Sequence, residues 1–114
     1  MSGNPDVSIV IVGLNAKQHV LNCIESIRSA VWREVTYEII YADNGSADGS
    51  VEAVRDKYGD SVILDSNDSN LGFCIAANKG ARIAQGRYLY FINDDTLVID
   101  DALALIVEYM DENP

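Results

Sequence analysis

The segment Val7–Val12 reads VSIVIV, an almost unbroken run of β-branched side chains. A run with no polar face fits a strand covered on both sides, as strands of parallel sheets are. Further strands are expected at Tyr37–Ala42, Ser61–Asp65 and Arg87–Ile92. Between them the apolar residues recur at helical spacing. Val20, Ile24, Ile27 and Val31 form one such series, behind an Asn15 that predicts a capping box with Gln18. Ser50–Tyr58 predicts a second helix with Val51 and Val54 inward. Phe73–Gln85 predicts a third, whose Ala76, Ala77, Ala81 and Ala84 allow close packing on a sheet and whose end is set by Gly86. Asp100 or Asp101 predicts the cap of a last helix, with Leu103, Ile106, Val107 and Met110 on one face.

Strands and helices therefore alternate four times, and 114 residues suit one domain. The expected architecture is α/β and Rossmann-like, about four parallel strands with right-handed crossovers and helices on both faces. In such a sheet every loop that follows a strand opens on the same edge, where ligands bind. Those loops carry Asp43 with Asp48, then Asp68, then Asp94 with Asp95.

The balance of 18 acidic against 8 basic side chains, a formal net charge of −10, argues against nucleic acid and anionic lipid as partners. Cys23 and Cys74 both fall in helical stretches and are expected as free buried thiols in a reducing compartment. His19, the only histidine, falls near the start of a helix, so triad chemistry is not indicated. No leader-like or membrane-spanning apolar run is present.

An acidic edge repels phosphate unless a hard cation lies between them. After the first strand the chain reads Gly13-Leu14-Asn15-Ala16-Lys17, neither of the glycine-rich phosphate loops that would act alone. Carboxylates together with phosphate oxygens suit Mg²⁺ or Mn²⁺. Asp94 and Asp95 are the best candidates to hold it, because Asp100 and Asp101 stand nearer the next helix and can cap it. Ser46 and Asp48 are expected to cap a helix rather than bind a ligand.

Four stretches in this order resemble the large family 2 of inverting glycosyltransferases of the GT-A fold. They are Val7–Val12 with Asn15; Asp43-Asn44-Gly45-Ser46-Ala47-Asp48-Gly49-Ser50; Asn70-Leu71-Gly72-Phe73 with Asn78 and Gly80; and Phe91-Ile92-Asn93-Asp94-Asp95-Thr96. The last is similar to the family's DxD element, with Asn93 in place of the first acid, as in rhamnosyltransferase-like members.

The resemblance implies that Asp43 holds the nucleotide base through its ring N–H and that Val12 and Asn15 line the base and ribose pocket. It implies that Asn70, Gly72 and Asn78 shape the donor pocket. Asp95 would be the main metal ligand, with Asp94 near ribose and metal. The donor would be a UDP-, dTDP- or GDP-linked sugar and the acceptor a saccharide or lipid-linked hydroxyl, with Mg²⁺ or Mn²⁺ as cofactor. Residues 1–114 would form one donor-binding domain, truncated after its fourth helix, with the acceptor half and the general base beyond residue 114. The exposed edge left by that missing half would favour self-association. A cytoplasmic or membrane-peripheral setting follows from the same resemblance. A non-catalytic nucleotide-sugar-binding module and a sugar-nucleotidyltransferase remain as alternative readings. The latter lacks its usual phosphate loop at Gly13–Lys17. A receiver-like signalling domain would need an acidic pair where Gly13-Leu14-Asn15 stands.

Overall fold

The computed structural model describes residues 3–114. Four parallel strands form one sheet in the order β3-β2-β1-β4: β1 is Val7–Gly13, β2 Tyr37–Asp43, β3 Val62–Ser66 and β4 Tyr88–Asn93. The helices are α1 (Lys17–Ser29), α2 (Ser50–Tyr58), α3 (Phe73–Ile83) and α4 (Ala102–Glu112). A single 3₁₀ turn, Gly59–Ser61, delays the start of β3 by one residue relative to the sequence reading.

Every residue of β1 is buried, as a two-sided apolar run requires. Its side chains alternate between two cores. Ile9 and Ile11 join Ile39, Tyr41 and Ile92 beneath α1, α2 and the start of α4, where Val20, Ile24, Ile27, Val54 and Leu103 close the layer. Val10 and Val12 join Ile40 and Ala42 beneath α3, which contributes Ala76, Ala77 and the buried Gly80. Fully burying one Ile or Val side chain stabilises by roughly 1.5–3 kcal/mol, so this central strand anchors both layers.

Several helix ends differ from expectation for physical reasons. Val31 lies beyond α1 and is 55% exposed. The helix stops at Ser29, where Trp32 folds back, donates Nε1–H to the Ile27 carbonyl at 2.8 Å and stacks on Tyr37. On α4, Leu103 and Val107 are buried, but Ile106 and Met110 face outward. Asp101 holds the N-cap position of α4 without a side-chain cap bond, so neither Asp100 nor Asp101 caps it as expected. Cys23 is buried, but Cys74 is exposed on α3, against the expectation for both thiols.

Gly86 does not cap α3, which ends at Ile83 with an extended Ala84. It lies instead where the chain enters β4 against β1. Its amide donates to Ser8 Oγ at 2.8 Å, and an added Cβ would fall 2.6 Å from the Ser8 amide nitrogen. That neighbour is backbone and cannot swing aside.

Leu89 and Phe91 pair in register with Ser8 and Val10, on the α3 side of the sheet. α3 packs on β1 and β2 and leaves both side chains exposed on the edge strand. Among the described residues no helix is long and apolar enough to cross a membrane.

Gly86→Ala should destabilise the fold by about 2 kcal/mol in urea denaturation, within the range for overpacking. Gly3→Ala, with nothing within 4 Å of the added carbon, should leave the midpoint unchanged. Equal midpoints for both variants would show that the close approach at Ser8 is not a constraint.

Candidate functional site

The register sets the strand ends side by side: Gly13 opposite Asp43, Val12 opposite Asn93, and Asp43 opposite Ser66. The loops leaving these ends enclose an open cleft of about 400 Å³. Val12, Gly13 and Leu14 form its floor, Asn44 one side, Asn70, Gly72 and Phe73 a wall, and Asn93, Asp94 and Asp95 the facing wall. Of the residues picked out from the sequence, Val12, Asn70, Gly72, Asp94 and Asp95 therefore meet at one cavity.

Asp94 reaches back over the end of β1, where its Oδ2 accepts the Leu14 N–H at 3.2 Å. An added Cβ at Gly13 would lie 2.7 Å from that same oxygen, so the approach depends on glycine. Burial pushes the Asp94 carboxyl above its ordinary pKa, and the charge of Asp95 adds to this, while the Leu14 N–H opposes it. Asp95 is exposed on the same wall. Asn93 adds an amide beside the acids. Among the described residues no group of three or more acidic, histidine or cysteine side chains could hold a metal alone. A hard cation at Asp94 and Asp95 would take its remaining oxygens from a bound phosphate and water, the usual arrangement for Mg²⁺. The donor set fits such an ion.

Asp43 ends β2. It is 1% exposed and does not line the cleft. Its Oδ1 accepts the Tyr41 hydroxyl at 2.9 Å and the Ser46 hydroxyl; its Oδ2 accepts the amides of Gly45 at 3.1 Å and Ser46 at 2.8 Å. Through these bonds Asp43 shapes the β2–α2 loop. Burial first, then the bond to Asp43, raises the Tyr41 pKa, which keeps that hydroxyl a donor.

Asn15 is no capping box. It has φ +51, and α1 begins after Ala16. Its Oδ1 accepts the Ala47 N–H at 2.7 Å and its own N–H donates to Ser46 Oγ at 2.8 Å, so it ties the β1–α1 and β2–α2 loops together and does not line the cleft. Asn78 is exposed on α3 and Asp68 is exposed on its loop, both off the cavity wall.

Asp48 serves two helices. Its Oδ2 accepts the Lys17 N–H at 3.0 Å and its Oδ1 the Ser50 N–H at 3.0 Å, which are the first helical amides of α1 and α2. The bond from the Ser50 hydroxyl, and then these amides, hold its carboxyl below the ordinary range. Cys23 is buried, and burial, reinforced by the charges of Asp94 and Asp95, pushes its thiol up to about 12.

Sequence reasoning missed Gly13, Leu14, Asn44 and Phe73 as parts of the cleft. The available signal was positional: each stands at, or one residue past, a strand end or a helix start on the ligand edge.

Comparison with known proteins supplies the context. The family model "Glycosyl transferase family 2" matches residues 8–114. The poly(ribitol-phosphate) beta-glucosyltransferase of Bacillus spizizenii is 27% identical over 110 residues, covering 94% of this chain and 17% of the relative. The uncharacterized glycosyltransferase YibD of Escherichia coli K12 is 31% identical over 98 residues, covering 83% of this chain and 27% of the relative. The chain thus spans less than a third of the length of these curated relatives. Among solved structures, S. aureus TarS 1–349 in complex with UDP superposes with a TM-score of 0.83 at 18% identity, over 94% of this chain and 32% of that one. The mannosyltransferase PcManGT of Pyrobaculum calidifontis, in complex with GDP-Man and Mn²⁺, gives 0.74 at 22% identity, over 84% of this chain and 29% of that one. These likenesses establish the Rossmann-like GT-A architecture expected from the sequence.

Asp48→Ala should cost about 1 kcal/mol at pH 7, the usual value of a lost helix cap. The folded pKa of Asp48 is depressed, so its stabilisation is complete above the unfolded value of about 3.9 and fades as pH falls through the folded one. Urea midpoints of wild type and variant should therefore converge in acid. A gap that persists there would assign the loss to something other than the carboxylate.

Proposed function

Because the chain belongs to glycosyl transferase family 2, we propose that it binds the nucleoside-diphosphate sugar of a glycosyltransferase in the cleft at the ligand edge of its sheet. The observation that carries this reading is the meeting of Val12, Asn70, Gly72, Asp94 and Asp95 at one cavity, from three separate stretches of chain. Their convergence is what a donor site on this fold needs.

In this proposal Asp95 would be the principal metal ligand, with Asp94 near ribose and metal. The Leu14 N–H holds one Asp94 oxygen and thereby aims the carboxylate across Gly13. Bound Mg²⁺ or Mn²⁺ would offset charge developing on the leaving diphosphate. Asn70 keeps its loop in shape by accepting the Gly72 N–H at 2.8 Å. Gly72, at φ +82, presents backbone to the donor where a side chain would be strained. Asp43 acts beneath this surface, as the support of the β2–α2 loop.

Transfer with inversion would need an acceptor hydroxyl and a general base. No catalytic base is assigned among the described residues. UDP in the TarS complex and GDP-Man in the PcManGT complex make UDP and GDP the first nucleotides to test, with dTDP beside them.

Calorimetric titration of UDP, dTDP and GDP, each with and without Mn²⁺, tests the reading. One nucleotide should bind only with the metal, and Asp95→Ala should weaken it at least about tenfold, the usual scale for an essential charged contact. Binding that ignores both metal and Asp95 would remove the metal from the proposal. Silence from this chain and from a full-length relative would remove the donor site.

We extend the proposal to self-association through the outer edge of β4, where Leu89 and Phe91 are exposed. Sedimentation should show concentration-dependent association that Phe91→Lys reduces, since an inserted lysine blunts an edge. A wild-type chain that stays monomeric throughout would exclude this.

A further inference from the structure

The β3–α3 loop, which supplies Asn70 and Gly72 to the cleft, has little secondary structure to hold it. Its restraint comes largely from one neighbouring side chain. Asn44 is 5% exposed, and its carboxamide is used at both ends. Oδ1 accepts the Leu71 N–H at 3.1 Å and an Asn67 amide hydrogen at 3.4 Å, while Nδ2 donates to the Gly72 carbonyl at 3.2 Å. We propose that Asn44 is a positioning residue that fixes the Asn70–Gly72 wall of the nucleotide cleft in its binding shape. This inference rests on the donor-site reading above.

Three independent features converge on the same clamp. The Asn67 N–H donates to the Asp43 carbonyl at 2.9 Å, continuing the β2–β3 pairing into the loop. Lys79 of α3 holds the Asn67 carboxamide from the other side. Gly45, at φ +91, lets Ser69 settle on it, since an added Cβ would meet the Ser69 backbone at 3.1 Å. Asn67 and Gly45 thus fix the loop's two flanks, and Asn44 bonds its last turn, where Leu71 and Gly72 lead into α3. An asparagine is required for the full set, because it alone of the short polar side chains offers a carbonyl acceptor and an amide donor at once. An aspartate could keep the Leu71 bond but would set a carboxylate against the Gly72 carbonyl.

The clamp acts on binding through population. If the wall holds its shape only about one-tenth of the time, apparent affinity falls about tenfold. The test combines amide hydrogen exchange at Leu71, which needs no ligand, with nucleotide titration and thermal melting. Asn44→Ala should speed Leu71 exchange more than about tenfold, the loss of a local restraint. It should weaken nucleotide binding by about the same factor. Broadening of the Asp94 and Asp95 resonances by Mn²⁺ alone should stay as in wild type. Asn44→Asp should keep Leu71 protected and bind with intermediate affinity. That partial rescue separates positioning from general loss of stability.

Unchanged Leu71 exchange in Asn44→Ala, or equal exchange in both variants, overturns the clamp. Nucleotide binding that is strong in wild type and undiminished in Asn44→Ala overturns its link to the cleft while the donor reading stands. No nucleotide binding by wild type overturns the donor reading and this inference with it.

Discussion

The rest of the molecule depends on the burial of β1 on both faces. A strand whose seven positions are all shielded from water needs a helical layer above and another below. Ile9 and Ile11 call for the layer of α1, α2 and α4; Val10 and Val12 call for α3. Parallel neighbours on both sides follow, because crossover helices are what bring the chain back to start each strand again. Once β1 is central, its C-terminal end at Gly13 lies between Asp43 and Asn93, and the ligand edge is settled before any loop chemistry is considered.

At that edge the backbone leaves strands and enters helices within a few residues, so many amides lose their partners at once. Short polar side chains meet this need. Asp48 takes the first amides of two helices, Asp43 the amides of Gly45 and Ser46, Asn15 that of Ala47, and Asn44 that of Leu71. The bonds of Asp48 to Lys17, Asn15 to Ala47 and Asn44 to Leu71 run between different loops or helix starts. The turn-rich composition of Asp43–Ser50 is thus more than local turn chemistry: it ties three strand ends into one rigid rim. Rigidity there matters because a cleft bounded by loops binds only as well as those loops are held.

The acids divide by environment rather than by sequence. Asp43 is enclosed by donors and supports the rim. Asp48 is exposed and stabilised as a carboxylate by helix amides. Asp94 is half-buried, raised in pKa by desolvation and steadied by a single backbone N–H. Asp95 is exposed beside it. Of the four, only Asp94 and Asp95 line the cleft, which concentrates its negative charge on one wall.

The sequence by itself determined the order of elements, the parallel sheet and the edge on which the site lies, because apolar periodicity and turn residues act locally. It also marked Asp94 and Asp95 by their place after the last strand, while Val12, Asn70 and Gly72 came from the family resemblance. It could not tell Asp43 from Asn44. Adjacent residues in a turn point to different surroundings, and only the folded loop decided that the acid turns inward to Tyr41 and Ser46 while the amide turns to the cleft. The same holds for Gly86, read as a helix stop and found as a contact with Ser8, and for Asn15, read as a cap and found as a tie between loops. The roles of Asn15 and Gly86 depend on partners 32 and 78 positions away. Such partners are chosen when the sheet assembles, and local sequence pattern carries no record of them.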